Sequence, residues 1–421
     1  MKKYDSYSAT NIQWLGEMPG HWESLRAKNL FKKEQRPTLP GDEIVTCFRD
    51  GEVTLRKNRR TTGFTEATDY SNYQHICKGD LVIHQMDAFA GSSGVSDSDG
   101  MGTPVLSVCT PKTNKTDNHY YAHILRLMGW NGFILSLYRG IRERSSDFRF
   151  DTFSRQWLPV PPLSEQQAIV SYLDDKCGKI DQLLENKAKE LELLAEMKQR
   201  VIADAVTKGL IHDVKFKTTN NICLPEVPMH WQIRRYGSLF KIKPVKQHHG
   251  EELLSVFLNL GVIRAAESDK RTHAASEDLS KYQLVEVGDF VMNNQQAWRG
   301  SVGVSQLVGI ISPAYHIFPV PKCYDPVYAN YLLRSKAIVG QFEMSSRGVG
   351  SIQRTLNFNW LNNKIVPVPP VDEQEKIVAH IEEKVSKIDA LADKLQKEIE
   401  SIKEYKQRLI SDVVTGQINI L

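Results

Sequence analysis

Two stretches of the chain, each of about forty residues, keep apolar side chains on a seven-residue beat. In the later stretch Ile381, Ile388, Leu395, Ile402 and Leu409 recur every seven residues, with Val385, Ala392, Ile399, Lys406 and Val413 interleaved. The earlier stretch carries Leu173, Ile180, Lys187, Leu194 and Val201, interleaved with Cys177, Leu184, Leu191, Lys198 and Ala205. This is the pattern of a coiled-coil seam, with lysine at one equivalent slot in both stretches, Lys198 and Lys406. Proline ahead of each stretch forbids extending the helix backwards, and Ser164 with Gln167, like Asp372 with Glu375, predicts a capping-box start. Either helix alone would leave a long apolar stripe in water, so the two are expected to pack on each other.

Upstream of each helix the beat shortens. Leu81-Val82-Ile83 after Gly79-Asp80 and Val105-Leu106-Ser107-Val108 after Pro104 are short β-prone runs bounded by turn residues. Phe290-Val291-Met292 and Tyr315-His316-Ile317-Phe318 predict strands later on. Asp117 opens a helix with apolar Tyr121, Ile124, Leu125 and Met128, and Asp325-Pro326 supplies a cap and a first-turn proline to another. Each region before a long helix therefore reads as a mixed α+β domain.

The two halves are the same unit written twice. An offset of 209 residues carries Pro19-Gly20-His21-Trp22 onto Pro228-Met229-His230-Trp231, Gly79-Asp80 onto Gly288-Asp289, and Gly94-Val95-Ser96 onto Gly303-Val304-Ser305. From Asp117 and Asp325 the offset is 208, relating Arg139-Gly140 to Arg347-Gly348, Pro159-Val160-Pro161-Pro162 to Pro367-Val368-Pro369-Pro370, and Lys198-Gln199-Arg200 to Lys406-Gln407-Arg408. A repeat this long predicts a pseudo-dimer rather than a solenoid. A two-fold relation would make the long helices antiparallel, and a translation would make them parallel. Certain loops differ between copies, as in His84-Gln85-Met86-Asp87 against Asn293-Asn294-Gln295-Gln296. The frame is shared and the loops are not, which points to two domains doing one job on different targets.

Composition changes this picture little. In 421 residues, 41% hydrophobic and 25% charged, there is material for two cores. Met1-Lys2-Lys3 leads into Tyr4, Asp5 and Ser6 rather than an apolar run, and no stretch approaches the roughly 18 apolar residues of a membrane span. A cytoplasmic protein is expected. The six cysteines show no Cys-x-x-Cys spacing, so reduced thiols and no zinc site are expected. No phosphate loop, dinucleotide fingerprint or His/Asp metal cluster is visible, and His248-His249 reads as loop surface.

The formal net charge of +4 matters through its distribution. Basic residues gather at Arg49, Arg56, Lys57, Arg59 and Arg60, at Arg139, Arg142, Arg144 and Arg149, and at Arg234, Arg235, Lys241, Lys243 and Lys246. Such clusters suit phosphate neutralisation, and equally suit a solvated surface. Direct base readout needs Arg or Lys for guanine and Asn or Gln for adenine. Asn293, Asn294, Gln295 and Gln296, with Trp298 and Arg299 adjoining, are candidates of this chemistry, and His84, Gln85 and Asp87 are their positional counterparts. The competing reading is that these amides cap strand ends. Lys57-Asn58-Arg59-Arg60 mixes an amide with charge. Arg139-Gly140 and Arg347-Gly348 read either as contacts or as helix ends, since Arg in a last turn with Gly beyond terminates a helix. Beyond them, Arg142, Arg144 and Arg149 stand against Ser351, Gln353 and Arg354, a divergence expected of specificity residues.

These residues resemble, over essentially the whole chain, the specificity subunit of type I restriction-modification systems. The resemblance rests on an ordered set found twice: Pro-x-His-Trp, a Gly-Asp turn, a Gly-x-x-Gly-Val-Ser segment (Gly91 to Ser96, Gly300 to Ser305), Pro-Val-Pro-Pro, then Glu-Gln, Lys-Ile-Asp (Lys179 to Asp181, Lys387 to Asp389) and Lys-Gln-Arg. It implies two target recognition domains, 1–162 and 213–370, each reading one half of a bipartite DNA site. It further implies two spacer helices, 163–212 and 371–421, pairing as an antiparallel coiled coil and docking two methyltransferase subunits, with restriction/translocase subunits joining. No catalytic centre is expected in the chain, and S-adenosylmethionine, ATP and Mg belong to the partners. A helix of about 43 residues is roughly 65 Å long, close to two turns of B-DNA at about 34 Å each. The alternative is a coiled-coil adaptor whose globular domains bind proteins; a self-contained modification-restriction enzyme would need methyltransferase and helicase motifs that are absent.

Overall fold

The structure, a computed structural model, describes residues 2–62, 69–137, 147–211, 213–244, 251–258, 260–267, 279, 281–348 and 354–421. Contacts divide the chain into two compact units, residues 1–187 with 397–421, and residues 188–396.

In the first unit, β1 (Glu23–Arg26) is followed by β2 (Phe31–Glu34), β3 (Leu81–His84), β4 (Ser93–Val95), β5 (Leu106–Pro111), α1 (Asn118–Trp130), β6 (Trp157–Val160) and α2 (Leu163–Lys208), which runs on into the second. Strands β2, β5, β3 and β4 form an antiparallel sheet in that order, and β6 pairs with β1. Asp117 caps α1 by accepting the His119 and Tyr120 N–H bonds, and Tyr121, Ile124, Leu125 and Met128 are fully buried on its inner face. Phe31, Leu81 and Ile83 from the sheet join that face in one core. Ile169 and Leu173 of the following helix close the core, as do Leu409, Ile410, Val413 and Val414 from the end of the chain.

The second unit repeats the plan with β7 (Gln232–Arg235), β8 (Asp289–Asn293), β9 (Val302–Val304), β10 (Tyr315–Pro319), α3 (Pro326–Arg334), α4 (Lys336–Met344), β11 (Ile365–Val368) and α5 (Val371–Val414). β8 lies between β9 and β10, and β7 pairs with β11. Asp325 caps α3 through the Val327 and Tyr328 N–H bonds, with Pro326 in its first turn. Phe290, Met292, Phe318, Tyr328 and Leu332 share a core with Ala205 and Val206 of α2 and Ile377 and Ile381 of α5.

The motifs noted in sequence are the joints between domain and helix. Gln166 is fully buried; it accepts from the Asp117 N–H (2.9 Å) and donates to the carbonyls of Lys115 and Pro161 (2.8 Å each). Gln374 does the same for Asp325 N–H (2.8 Å) and the carbonyls of Cys323 (2.8 Å) and Pro369 (2.9 Å). The neighbouring glutamates hold the Pro-x-His-Trp histidines, His21 Nε2 to Glu165 at 2.9 Å and His230 Nε2 to Glu373 at 2.8 Å. Trp22 packs over Gly416, where an added Cβ would lie 2.8 Å from the indole, and Trp231 over Gly209, where it would lie 3.1 Å away. Each Trp thus seats on the end of a long helix.

The long helices pack on each other and run antiparallel. In the first unit Lys406 pairs with Asp181 (2.5 Å) and Lys187 with Glu398 (2.6 Å); in the second Lys198 pairs with Asp389 (2.7 Å). Lys198–Asp389 and Lys406–Asp181 are one ion pair seen twice at the offset of 208, so the polar interruption of each seam faces an aspartate on the other helix. Every predicted seam position is buried or half-buried. The helix starts differ from expectation. Both begin directly after Pro-Pro, and the carbonyls of Pro162 and Pro370 accept the first helical N–H bonds. Ser164 and Asp372 therefore lie inside the first turn rather than capping it. No helix among the described residues is long and apolar enough to cross a membrane.

Candidate nucleic-acid interface

In both units the strand after the Gly-Asp turn ends in a loop of one fixed form, followed by a 3-10 turn and then glycine. In the first unit the Asp87 N–H donates to His84 O (3.2 Å), Gly91 N–H to Ala88 O (3.0 Å), and His84 N–H to Ser92 O (3.0 Å). In the second, Gln296 N–H donates to Asn293 O (3.2 Å), Gly300 N–H to Ala297 O (2.8 Å), and Asn293 N–H to Ser301 O (3.1 Å). Gly91 and Gly300 both take φ of +97°, a left-handed conformation that a side chain would strain, so glycine fixes the frame. Buried Ala88 and Ser92 match Ala297 and Ser301, while the side chains at 84–87, 89 and 90 all differ from those at 293–296, 298 and 299.

His84 has its Nδ1 engaged by the Asp87 N–H (3.1 Å), and burial holds its imidazole below the ordinary pKa, with the Asp87 carboxylate pulling the other way. Asp87 in turn pairs with Arg49 Nη2 (2.9 Å). The Gln85 amide donates to Pro104 O (3.3 Å) and Ser107 Oγ (3.2 Å), so its donor side serves the strand ends. In the second unit Asn293 Oδ1 accepts the Gln295 N–H (3.0 Å) and Gln295 O accepts from Trp298 Nε1 (3.0 Å). Two guanidinium groups stack on Trp298, Arg299 at 4.8 Å and Arg354 at 4.5 Å from its ring centre. Asn294 Oδ1 is shielded from solvent and finds no donor among the described residues.

The other sequence candidates are placed as follows. Lys57 pairs with Glu43, and Asn58 Nδ2 donates to Thr54 Oγ1 (2.8 Å). Arg59 bridges Asp50 (2.6 Å) and Glu52 (2.8 Å) and stacks on Phe48, which ties it to its own hairpin; exposed Arg60 donates to Thr62 O (3.3 Å). Arg149 pairs with Asp147 (2.6 Å) and is exposed. Arg139, Arg142, Arg144, Gln353 and the pair His248-His249 lie outside the described residues. Arg347 does not terminate a helix: α4 ends at Met344, and Arg347 lies in a short strand, Ser346–Arg347, that pairs with Thr355–Leu356, and stacks on Trp360 at 4.3 Å. Three backbone acceptors within α4 already take the Ser345 N–H, which leaves the chain free to turn into that strand. In the third basic cluster Lys243 is held by Glu286 (2.5 Å) and Asp289 (2.6 Å), so its charge is spent inside the domain.

Sequence reasoning missed one basic pair. Arg126 and Arg334, again 208 apart, project from α1 and α3 over the hairpin glycines Gly51 and Gly261. Both are half-buried, and burial lowers the pKa of each from its high reference. Arg126 stacks on Trp130 at 4.8 Å while its Nε, closed off from solvent, has no hydrogen-bond partner among the described residues. Among the described residues no carboxylate lies within ion-pair distance of either guanidinium. Their recurrence at the offset was the available signal.

Residues 19–193 match the family model described as the type I restriction modification DNA specificity domain. The chain is 23% identical over 434 aligned residues, covering 96% of it and 94% of the relative, to the Type I restriction enzyme MjaVIII specificity subunit of Methanocaldococcus jannaschii. It is 19% identical to the Type I restriction enzyme EcoKI specificity subunit of Escherichia coli, covering 96% of this chain and 90% of that one. Among solved structures it resembles a chain from a structure of complex assembly and conformational transition of the type I R-M system, with a TM-score of 0.67 at 16% identity over 95% of this chain and 99% of that one. A crystal structure of the HsdS subunit from Thermoanaerobacter tengcongensis aligns with a TM-score of 0.53 at 15% identity over 95% and 98% of the two chains.

Proposed function

Because the chain belongs to the specificity subunits of type I restriction-modification systems, we propose that it reads a bipartite DNA site, one half through 1–162 and the other through 213–370. As a specificity subunit it is non-catalytic. The segments 163–212 and 371–421 set the gap between half-sites and dock two methyltransferase subunits, with two restriction/translocase subunits completing the enzyme in the cytoplasm. S-adenosylmethionine, ATP and Mg are held by those partners.

The observation that carries this reading is the loop frame closed by Gly91 and Gly300, identical in hydrogen bonding and different in every side chain that faces outward. A frame that fixes position while varying donors and acceptors is what reading two different half-sites demands. His84 and Asp87 in one loop, and Asn294, Gln295, Gln296 and the Trp298–Arg299–Arg354 stack in the other, are the base-edge contacts. Arg126 and Arg334 are the shared element. A phosphate oxygen would supply the acceptor that Arg126 Nε lacks, and phosphate carries no sequence information, so both copies keep the residue.

Duplex binding by the chain together with its methyltransferase partner tests this. Affinity is expected to depend on both half-sites and on the gap between them. Binding indifferent to sequence and to gap length overturns the reading.

A further inference from the structure

Strand Gln74–Ile76 pairs with Gly100–Gly102 in the first unit and brings His75 and Cys77 beside Asp99. One ring nitrogen of His75, the Cys77 Sγ and a carboxylate oxygen of Asp99 all lie within 4.8 Å of one another. Two of the three groups are already oriented. His75 Nδ1 faces Asp42 Oδ2 at 2.9 Å, and that oxygen is itself fixed by the Leu39 N–H at 2.8 Å. Asp99 Oδ1 accepts the Lys78 N–H at 2.8 Å. Among the described residues these bonds leave His75 Nε2, Asp99 Oδ2 and Cys77 Sγ uncommitted.

We propose that His75, Cys77 and Asp99 bind a divalent zinc-like cation, with Asp42 as the carboxylate that orients the histidine. The ligand set is one imidazole, one thiolate and one carboxylate, a mixture that suits a borderline-soft ion rather than magnesium or calcium. The Asp42–His75 pair is the outer-shell arrangement that fixes the tautomer of a metal-bound histidine. Bonds of about 2.0–2.3 Å in tetrahedral geometry place ligand atoms about 3.5 Å apart, so closing the site needs a contraction of about 1 Å. Half-buried Cys77 and exposed Asp99 have the freedom to make it, while His75 is buried. A cavity of about 510 Å³ bordered by Asp42, His75 and Asp99 leaves the fourth position open to water.

The positions 209 residues later hold Leu284, Glu286 and Val308, so the site belongs to the first unit alone. It ties the segment around Asp42 to the strand of His75 and the turn of Asp99, and it owes nothing to the DNA reading of the chain. The missing Cys-x-x-Cys signal follows from a ligand set that holds one cysteine and is drawn from two separate segments, His75–Cys77 and Asp99.

Cobalt substitution of the full chain tests it. After chelator treatment, titration with Co(II) is expected to saturate at one ion per chain with a thiolate-to-metal charge-transfer band and tetrahedral d–d bands. C77S is expected to lose the charge-transfer band while keeping its circular dichroism, C223S is expected to leave the band unchanged, and Asp42→Asn is expected to weaken affinity about 10–100-fold. Absence of the band from the unmodified chain, or its persistence in C77S, overturns the site.

Discussion

His123 on α1 has a ring Nδ1 closed off from solvent with no hydrogen-bond partner among the described residues, and burial first, then Arg126, pushes its pKa down to about 3. A histidine whose folded pKa is depressed gives stability that is complete above its unfolded value, about 6.5, and lost as pH falls from there towards the folded value. Lowering pH from 6.5 to 5 should therefore cost up to about 2 kcal/mol at this one residue. Urea midpoints measured across that range are expected to fall in the unmodified chain and to flatten in His123→Leu; an unchanged slope in the variant would show that another group titrates. At the same scale the two kinds of proposed DNA contact separate. Arg126→Ala and Arg334→Ala are expected to weaken binding to all sequences alike and to lower the salt slope by about one. Replacing Gln296 or Arg299 by Ala is expected to lose about 1–3 kcal/mol of discrimination at one base pair in one half-site. Competition binding at two salt concentrations distinguishes the pairs. The loop residues were legible because the copies disagree there. Arg126 and Arg334 were hidden among core helix positions, since a charged residue at a regular helix slot looks the same in sequence whether it is solvated or buried.

At the scale of elements, the long helices were the most legible part of the chain, because a seam repeated over about nine turns leaves few alternatives. Leu395 is 8% exposed within it, and Leu395→Ala should cost roughly 2–5 kcal/mol in denaturant unfolding. The lysines in the seam were read as interruptions; opposite Asp181 and Asp389 they become register marks, since a slip by one heptad would part both pairs. The Glu-Gln that follows Pro-Pro reads in sequence as a helix start and nothing more. Its burial depends on a partner about fifty residues away in Asp117 and about 144 away in His21, and such distances carry no local signal. Gln166→Ala strands the Asp117 N–H and two carbonyls inside the domain, so a loss of roughly 1–3 kcal/mol in the urea transition is expected. The helix starts were misplaced by two residues for a similar reason: Ser164 and Asp372 have the chemistry of a cap, but a proline carbonyl reaches the first N–H groups before they do.

At the scale of the whole molecule, the duplication is what joins fold to function. The constant offset identifies the parts that must be the same: caps, buried glutamines, seam lysines and loop glycines. Its failures, His84 to Asp87 against Asn293 to Gln296, mark the parts that must differ. The metal-ligand trio of the first unit is a third kind of difference, one that the offset exposes only once the fold has brought the segments together. The account rests on the claim that two equivalent loop frames read two different half-sites. Methylation mapping of DNA modified by this chain with its methyltransferase partner tests that claim most directly, with the unmodified chain compared against variants altered in the 84–87 loop or the 293–299 loop. The expected result is a split motif with a fixed gap, in which each loop variant changes one half-site and leaves the other intact. A single contiguous motif, or a loop variant that alters both halves together, would contradict it.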